Sequence, residues 1–240
     1  MITNYPQQIW KEHNAIRPPA VFVLLAIMLL VGVYFGSSVL FGRSDVSVGL
    51  FVLISAIALR GLVTDYPHKV LGLCNGVTLA RAALTAILAG AVFVPEFDRW
   101  AIFVIAFVAF AMDGLDGWLA RKADLSSAFG ARFDMEVDAV LSALLATILL
   151  MSGRVGPEVL LLGFMRYGFV ALSFLVPRLK ADLPPSFRRK AVCVIQIATL
   201  LMLLCPLTPT ALLVPATLSA ALLLVWSFAV DARWLLRMPE

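Results

Sequence analysis

A chain of 240 residues with 62% hydrophobic and only 14% charged residues is too apolar for an ordinary soluble domain. Its formal net charge of +4 reads as membrane topology and attraction to anionic headgroups, and no nucleic-acid partner is expected. The apolar residues form blocks of roughly 18 to 25, enough to cross a hydrocarbon core about 30 Å thick as helices that satisfy their own backbone hydrogen bonds. The short alternating segments of an outer-membrane barrel are missing. An all-α integral membrane protein, a polytopic helical bundle, is expected.

Eight spans are predicted in chain order, at 19–42, 46–64, 76–95, 99–120, 135–152, 156–176, 188–206 and 210–231. The first, PAVFVLLAIMLLVGVYFGSSVLF, is longer than a signal-peptide core and lacks a cleavage pattern, so it is expected to be retained. Alternate loops hold Lys and Arg in a ratio of 14 to 3, which predicts eight spans with both termini in the cytoplasm. A bacterial inner membrane is the expected location. The sparse side carries Arg43, Arg99 and Arg154, while Arg81 and Arg166 fall inside spans. Cys74, Cys193 and Cys205 have no paired or metal-like spacing and read as small apolar filler. No repeat or soluble domain interrupts the bundle. Spans one and two hold almost nothing polar, whereas spans three to seven hold nearly all the polar residues that need a reason.

The strongest such feature is AMDGLDGWLARKADLSSAFGARFDMEVDA, residues 111–139, with six acids in an otherwise lipid-adapted chain. On a helix, Asp113, Asp116, Gly117, Ala120 and Arg121 share one face. Asp134 and Asp138, four apart, share a face of the next helix. An antiparallel pair would gather four aspartates at the ends of two neighbouring helices. Clustered carboxylates repel one another, and partial dehydration adds to the cost, so a positive partner is required. Hard oxygen ligands in this number suit Mg²⁺, Mn²⁺ or Ca²⁺ better than zinc. Two such ions can bridge phosphate oxygens and offset charge during phosphoryl transfer. Gly117 and Ala120 leave room for a flat base or a diphosphate, and Arg121 can meet phosphate through its planar fork. Asp124 and Asp134, taken singly, would also suit helix capping.

The spacing Asp113-x-x-Asp116-Gly117-x-x-Ala120-Arg121, eight residues, then Gly130-x-x-x-Asp134-x-x-x-Asp138 resembles the signature of the CDP-alcohol phosphotransferases at all eight fixed positions. That resemblance implies a six-helix catalytic core, here 71–240, with two extra transmembrane helices in the N-terminal segment 1–70. It implies transfer of a substituted phosphoryl group from a CDP-alcohol, commonly CDP-diacylglycerol, to the hydroxyl of a small alcohol acceptor, with release of CMP. It further implies two divalent ions, Mg²⁺ or Mn²⁺, on Asp113, Asp116, Asp134 and Asp138. Asp138 would also be the general base, Gly117, Ala120 and Arg121 would line the nucleotide site, and the protein would be a homodimer among membrane lipids.

Weaker signals surround this core. Asn75, Thr78 and Arg81 drift around one helical face and are similar to the Asn-x-x-Thr-x-x-Arg stretch of the same family, which implies nucleotide binding. Capping and back-bonding explain the first two equally, and Arg81 could meet a nucleotide phosphate, an acid or the headgroups. Arg166 near the middle of span six suggests acceptor or phosphate binding, or a counter-ion for a cluster aspartate. RRKAVCVIQ keeps Lys190 and Gln196 of a family stretch but carries Arg189 and Cys193 in place of its Gly and Thr. Lys190 could bind an anionic acceptor or anchor at headgroups, and Arg132 could read an acceptor phosphate or set topology. Arg132, Arg166, Arg189 and Lys190 together lean towards a phosphorylated polyol acceptor. Glu136 projects opposite Asp134 and Asp138, which suggests a structural hydrogen bond or a dimer contact rather than metal ligation. The competing reading, an ion or proton-coupled carrier, would place its acids in broken midplane helices and repeated halves, which this sequence lacks.

Overall fold

The computed structural model describes residues 17–94, 97–123, 125–181, 183–184 and 186–237, leaving out the side chains of residues 115, 116, 118–121 and 180. Asp116, Ala120 and Arg121, whose side chains the sequence assigns to the site, therefore lie outside the described side chains, and Asp124 lies outside the described residues. The described residues form eight α-helices: α1 (Pro18–Phe41), α2 (Asp45–Asp65), α3 (Leu73–Leu88), α4 (Arg99–Lys122), α5 (Ala128–Met151), α6 (Val159–Leu175), α7 (Phe187–Leu204) and α8 (Thr210–Arg237). Short 3₁₀ turns follow α3 at Ala89–Phe93 and α6 at Pro177–Lys180. No strand occurs among the described residues. Among the described residues, four helical segments, Pro18–Phe41, Asp45–Asp65, Leu73–Phe93 and Thr210–Arg237, are long and apolar enough to cross a membrane.

Helix α3 is the axis of the bundle. It packs on α1, α2, α4 and α5, and its run of small residues explains why four neighbours can approach it. Leu79, Ala82 and Ala86 are fully buried there. One apolar cluster joins α1 and α2 to α3 and the start of α5 through Phe22, Phe51, Phe129 and Phe133. A second, larger one fills the space among α4 to α8 around Leu141, Leu145, Leu149 and Leu200. The outer faces of α1 and α2 stay apolar and exposed, as lipid contact requires.

Helix starts and stops differ from the sequence expectation in ways that matter. α5 begins at Ala128 rather than 135, because Ser127 caps it: its Oγ accepts from the Gly130 N–H at 3.0 Å. Asp134 thus sits inside the helix and not at its tip. α8 continues to Arg237, six residues past the predicted end, as Leu235 is buried and Asp231 pairs with Arg188 of α7. α3 and α5 also share the work assigned to α4 and α5: the latter two barely touch, and α3 stands between them. Two of the three arginines on the sparsely charged side are tied down locally. Arg43 grips Asp45, and Arg154 donates to the Cys205 and Thr208 carbonyls, both at 3.2 Å, closing the turn after α7.

Close packing of α5 on α6 depends on Gly163. A Cβ there would lie 2.5 Å from the Ala146 Cβ and 3.1 Å from the Ser142 carbonyl oxygen. Gly163→Ala is expected to force the helices apart at a cost of about 1–3 kcal/mol, read as a lowered thermal midpoint in detergent. Gly168→Ala, on the same helix with nothing within 4 Å of its Cβ, should leave the midpoint almost unchanged apart from a small helix-propensity gain.

Candidate active site

Three helices converge on one point. Asp113 on α4 and Asp134 and Asp138 on α5 each offer a carboxylate oxygen, and these atoms lie within 4.8 Å of one another. Helical rise puts Asp134 and Asp138 about 9 and 15 Å in from the start of α5, and Asp113 about 14 Å from the end of α4. The cluster therefore lies within the bundle, deeper than the helix-end position expected from sequence. The reason is the early start of α5, which adds nearly two turns ahead of Asp134.

Arg81 on α3 is the side chain at the centre. Its guanidinium, 1% exposed, donates to Asp134 and to Asp138 and lies 3.1 Å from Asp113. Its Nε donates to the Ala109 carbonyl at 3.1 Å, one turn before Asp113. The planar fork meets several carboxylates at fixed angles, which an ammonium on a flexible stem does not. Of the partners considered for Arg81, acids are the ones it has. The side chains of Asp113 and Asp134 remain about one third exposed and that of Asp138 15%, whereas the arginine is buried, and Asp134 lines a neighbouring cavity.

That cavity, about 310 Å³, is lined by Asn75 and Thr78 of α3, Gly117 of α4, Ser127 and Gly130 at the start of α5, Asp134 and Lys190. Asn75, Thr78 and Gly117, separated by up to 42 positions in the sequence, thus line the same cavity. Gly130 must be small: a Cβ would stand 3.2 Å from both the Asn75 Oδ1 and the Ser127 Oγ. Ser126 and Ser127 also line the cavity without having been singled out in the sequence, although Ser127 before an apolar run was legible as a helix cap.

Among the described residues, Arg132, Arg166, Arg188 and Arg189 have partners outside the aspartate cluster. Arg166 donates to Glu136 and to the Met135 sulfur at 3.0 Å, so its partner is the acid that points away from the cluster and not a cluster aspartate. Glu136 accordingly serves as an ion-pair partner between α5 and α6. Arg132 pairs with Asp65 at the end of α2, and Arg189 donates to the Pro184 carbonyl. Arg188 bridges to Asp231 and the Ser227 carbonyl, with its guanidinium over the Trp226 ring, and so locks α7 to α8. Gln196 donates to the Leu162 carbonyl and ties α7 to α6.

A helical membrane bundle with a buried arginine gripping three carboxylates beside a polar cavity defines a polytopic membrane protein with a carboxylate site. The CDP-alcohol phosphatidyltransferase family model matches residues 71–230, and the chain belongs to that family. A stretch of 65 residues is 40% identical to a Dictyostelium discoideum protein described as an uncharacterized CDP-alcohol phosphatidyltransferase class-I family protein 2. This stretch is 26% of the present chain and spans only 16% of that relative's length. The family match begins just before α3 and ends within α8, leaving α1 and α2 outside it.

Proposed function

We propose that the protein transfers a phosphatidyl group from CDP-diacylglycerol or a related CDP-alcohol to the hydroxyl of a small alcohol acceptor, releasing CMP. The observation that carries this reading is the cluster of Asp113, Asp134 and Asp138, joined through Asp134 to a cavity that Asn75, Thr78 and Gly117 also line. Family membership supports the kind of reaction. The six helices from α3 onward form the catalytic unit, 71–240, and α1 and α2 with the preceding residues, 1–70, are an addition to it. The charge distribution supports a cytoplasmic site, and the family resemblance supports a homodimer.

The donor set suits hard divalent ions: it consists of carboxylate oxygens within 4.8 Å, and Arg81 brings one positive charge against three negative ones. Asp113, Asp134 and Asp138, with Asp116, would hold Mg²⁺ or Mn²⁺. Such ions supply electrostatic stabilisation of the phosphoryl oxygens and make an acceptor hydroxyl more acidic. Asn75, Thr78 and Gly117, with Ala120 and Arg121, bind the nucleotide end of the donor. Arg81 fixes the Asp134 and Asp138 carboxylates so that their rotamers are set before substrate arrives. Asp138 takes the proton of the attacking hydroxyl on its carboxylate oxygen. Direct displacement at phosphorus then transfers the phosphatidyl group and CMP departs, with no covalent enzyme intermediate.

Among the described residues, Lys190 is a cation lining the cavity, and an anionic group on the acceptor would meet it there. The lean to a phosphorylated polyol now rests on Lys190 more than on Arg132, Arg166 or Arg189, whose side chains have other partners. The test is CMP release from CDP-diacylglycerol by the purified protein, with candidate acceptors offered one at a time and chelator controls. CMP release that requires both Mg²⁺ or Mn²⁺ and an acceptor supports the reading. Release unaffected by chelation would sink the metal assignment, and failure with every CDP-alcohol would sink the transferase reading.

A further inference from the structure

The sequence places Asn75 at the site but says nothing of what aims it. Its side-chain amide is almost fully buried, and a carboxamide can present either a donor or an acceptor to a ligand. The neighbour that decides between them comes from the connector between α2 and α3. α2 ends at Asp65 because Pro67 disfavours helical backbone at Tyr66, which is extended with φ −87° and ψ 118°. That turn directs the Tyr66 ring under the start of α3.

There the Tyr66 hydroxyl makes three hydrogen bonds. It donates to the Val70 carbonyl at 3.0 Å and accepts from the Gly72 N–H and the Asn75 Nδ2, both at 3.2 Å. A phenolic oxygen has one proton to give and two lone pairs, so this inventory is full. With its proton committed to Val70, the hydroxyl can only accept from Asn75, and the amide nitrogen must face it. The Asn75 Oδ1 is thereby turned the other way, towards Gly130 and the cavity, where a Cβ on Gly130 would stand 3.2 Å from it.

The ring itself is held firmly. Phe129 meets it edge-on with centroids 5.8 Å apart, and His68 does so at 5.3 Å. Phe129 also fits against Gly61 of α2, where a Cβ would come within 3.2 Å of its ring. The His68 Nε2 lies 3.3 Å from the Ser126 carbonyl in the loop that lines the same cavity. The connector between α2 and α3 thus touches the cavity wall at two places.

We propose that Tyr66 is a positioning residue: its hydroxyl orients Asn75 so that the carboxamide oxygen accepts from an N–H or O–H of the bound nucleotide, which couples the two N-terminal helices to substrate binding. This deepens the nucleotide reading above and rests on it. Tyr66 touches no reacting atom, so its effect passes through Asn75.

A double-mutant cycle on the full-length protein in lipid nanodiscs tests this, with CMP as the probe in the presence of Mg²⁺. Tyr66→Phe keeps the ring and removes the hydroxyl, freeing the Asn75 amide to flip. It is expected to weaken CMP binding about 5- to 10-fold and to raise KM for CDP-diacylglycerol by a similar factor, with kcat within about twofold. In Tyr66→Phe/Asn75→Ala, affinity should fall no further than in Asn75→Ala alone. Unaltered affinity in Tyr66→Phe, or losses that multiply in the double variant, would overturn the inference, whatever happens to the thermal midpoint. If the unaltered protein shows no metal-dependent CMP binding, the nucleotide reading of the cavity fails first, an outcome distinct from either of these.

Discussion

Asp138→Asn is expected to lower the rate of CMP release by about 10³-fold or more while leaving the protein folded. The amide has nearly the shape of the carboxylate, and its oxygen can still accept from Arg81. Arg81 also keeps Asp134 and its approach to Asp113, so the helix junction retains most of its electrostatic cement. On the proposed mechanism, what the variant lacks is a group able to hold the hydroxyl proton, together with one negative charge towards divalent ions. The loss should therefore appear in kcat far more than in CMP affinity, because Asn75, Thr78 and Gly117, the residues proposed to bind the nucleotide, are untouched. Glu136→Gln is the matched control. It removes a carboxylate two residues away whose partner is Arg166, outside the cluster, and should cost less than tenfold. Equal losses in the two variants would mean that net charge and not the Asp138 oxygen carries the effect.

That contrast between Asp138 and Glu136 was legible before any coordinates, since alternation around a helix separates residues two apart. The same is true of the membrane class and the helix count, which follow from apolar run length, and of the aspartate spacing, which fixes two helix faces. Depth and adjacency were not legible. The apolar blocks predict a span only from 135. The cap at Ser127 and the burial of Phe129 and Phe133 against α1 and α2 begin it at Ala128, which moves the cluster inward. Chain order suggested that α4 and α5 pair directly, but the small residues of α3 let that helix intervene. The partners of Arg132 and Arg166 were beyond reach for a similar reason. Asp65 is 67 residues from Arg132 and Glu136 is 30 from Arg166, and no periodic signal links positions on different helices. Tyr66 was hidden because a tyrosine near a span end is adequately explained as an interfacial anchor.

Replacing Arg81 should differ from Asp138→Asn in destabilising the fold as well as silencing the site. Its fully buried guanidinium serves Asp113, Asp134, Asp138 and the Ala109 carbonyl at once. Arg81→Ala leaves that carbonyl and three carboxylates without it, and breaking a buried ion pair from one side costs about 3–5 kcal/mol, a large part of the roughly 5–15 kcal/mol that a folded domain possesses. Poor yield and a much lower thermal midpoint are expected. Arg81→Lys keeps the charge but loses the fork, since one compact ammonium cannot span acceptors on α4 and α5 together. It should fold with intermediate stability and low activity. The informative measurement is the response to Mg²⁺. A ligand that binds only the folded protein stabilises it in proportion to the logarithm of its saturation. With the central positive charge gone, the carboxylates attract a divalent ion more strongly. The midpoint of Arg81→Ala should thus rise more on adding Mg²⁺ than that of the unaltered protein, even though its activity does not return. A rise equal to or smaller than in the unaltered protein would show that Arg81 serves the ions by orienting their ligands, and that its charge is not what holds the aspartates together.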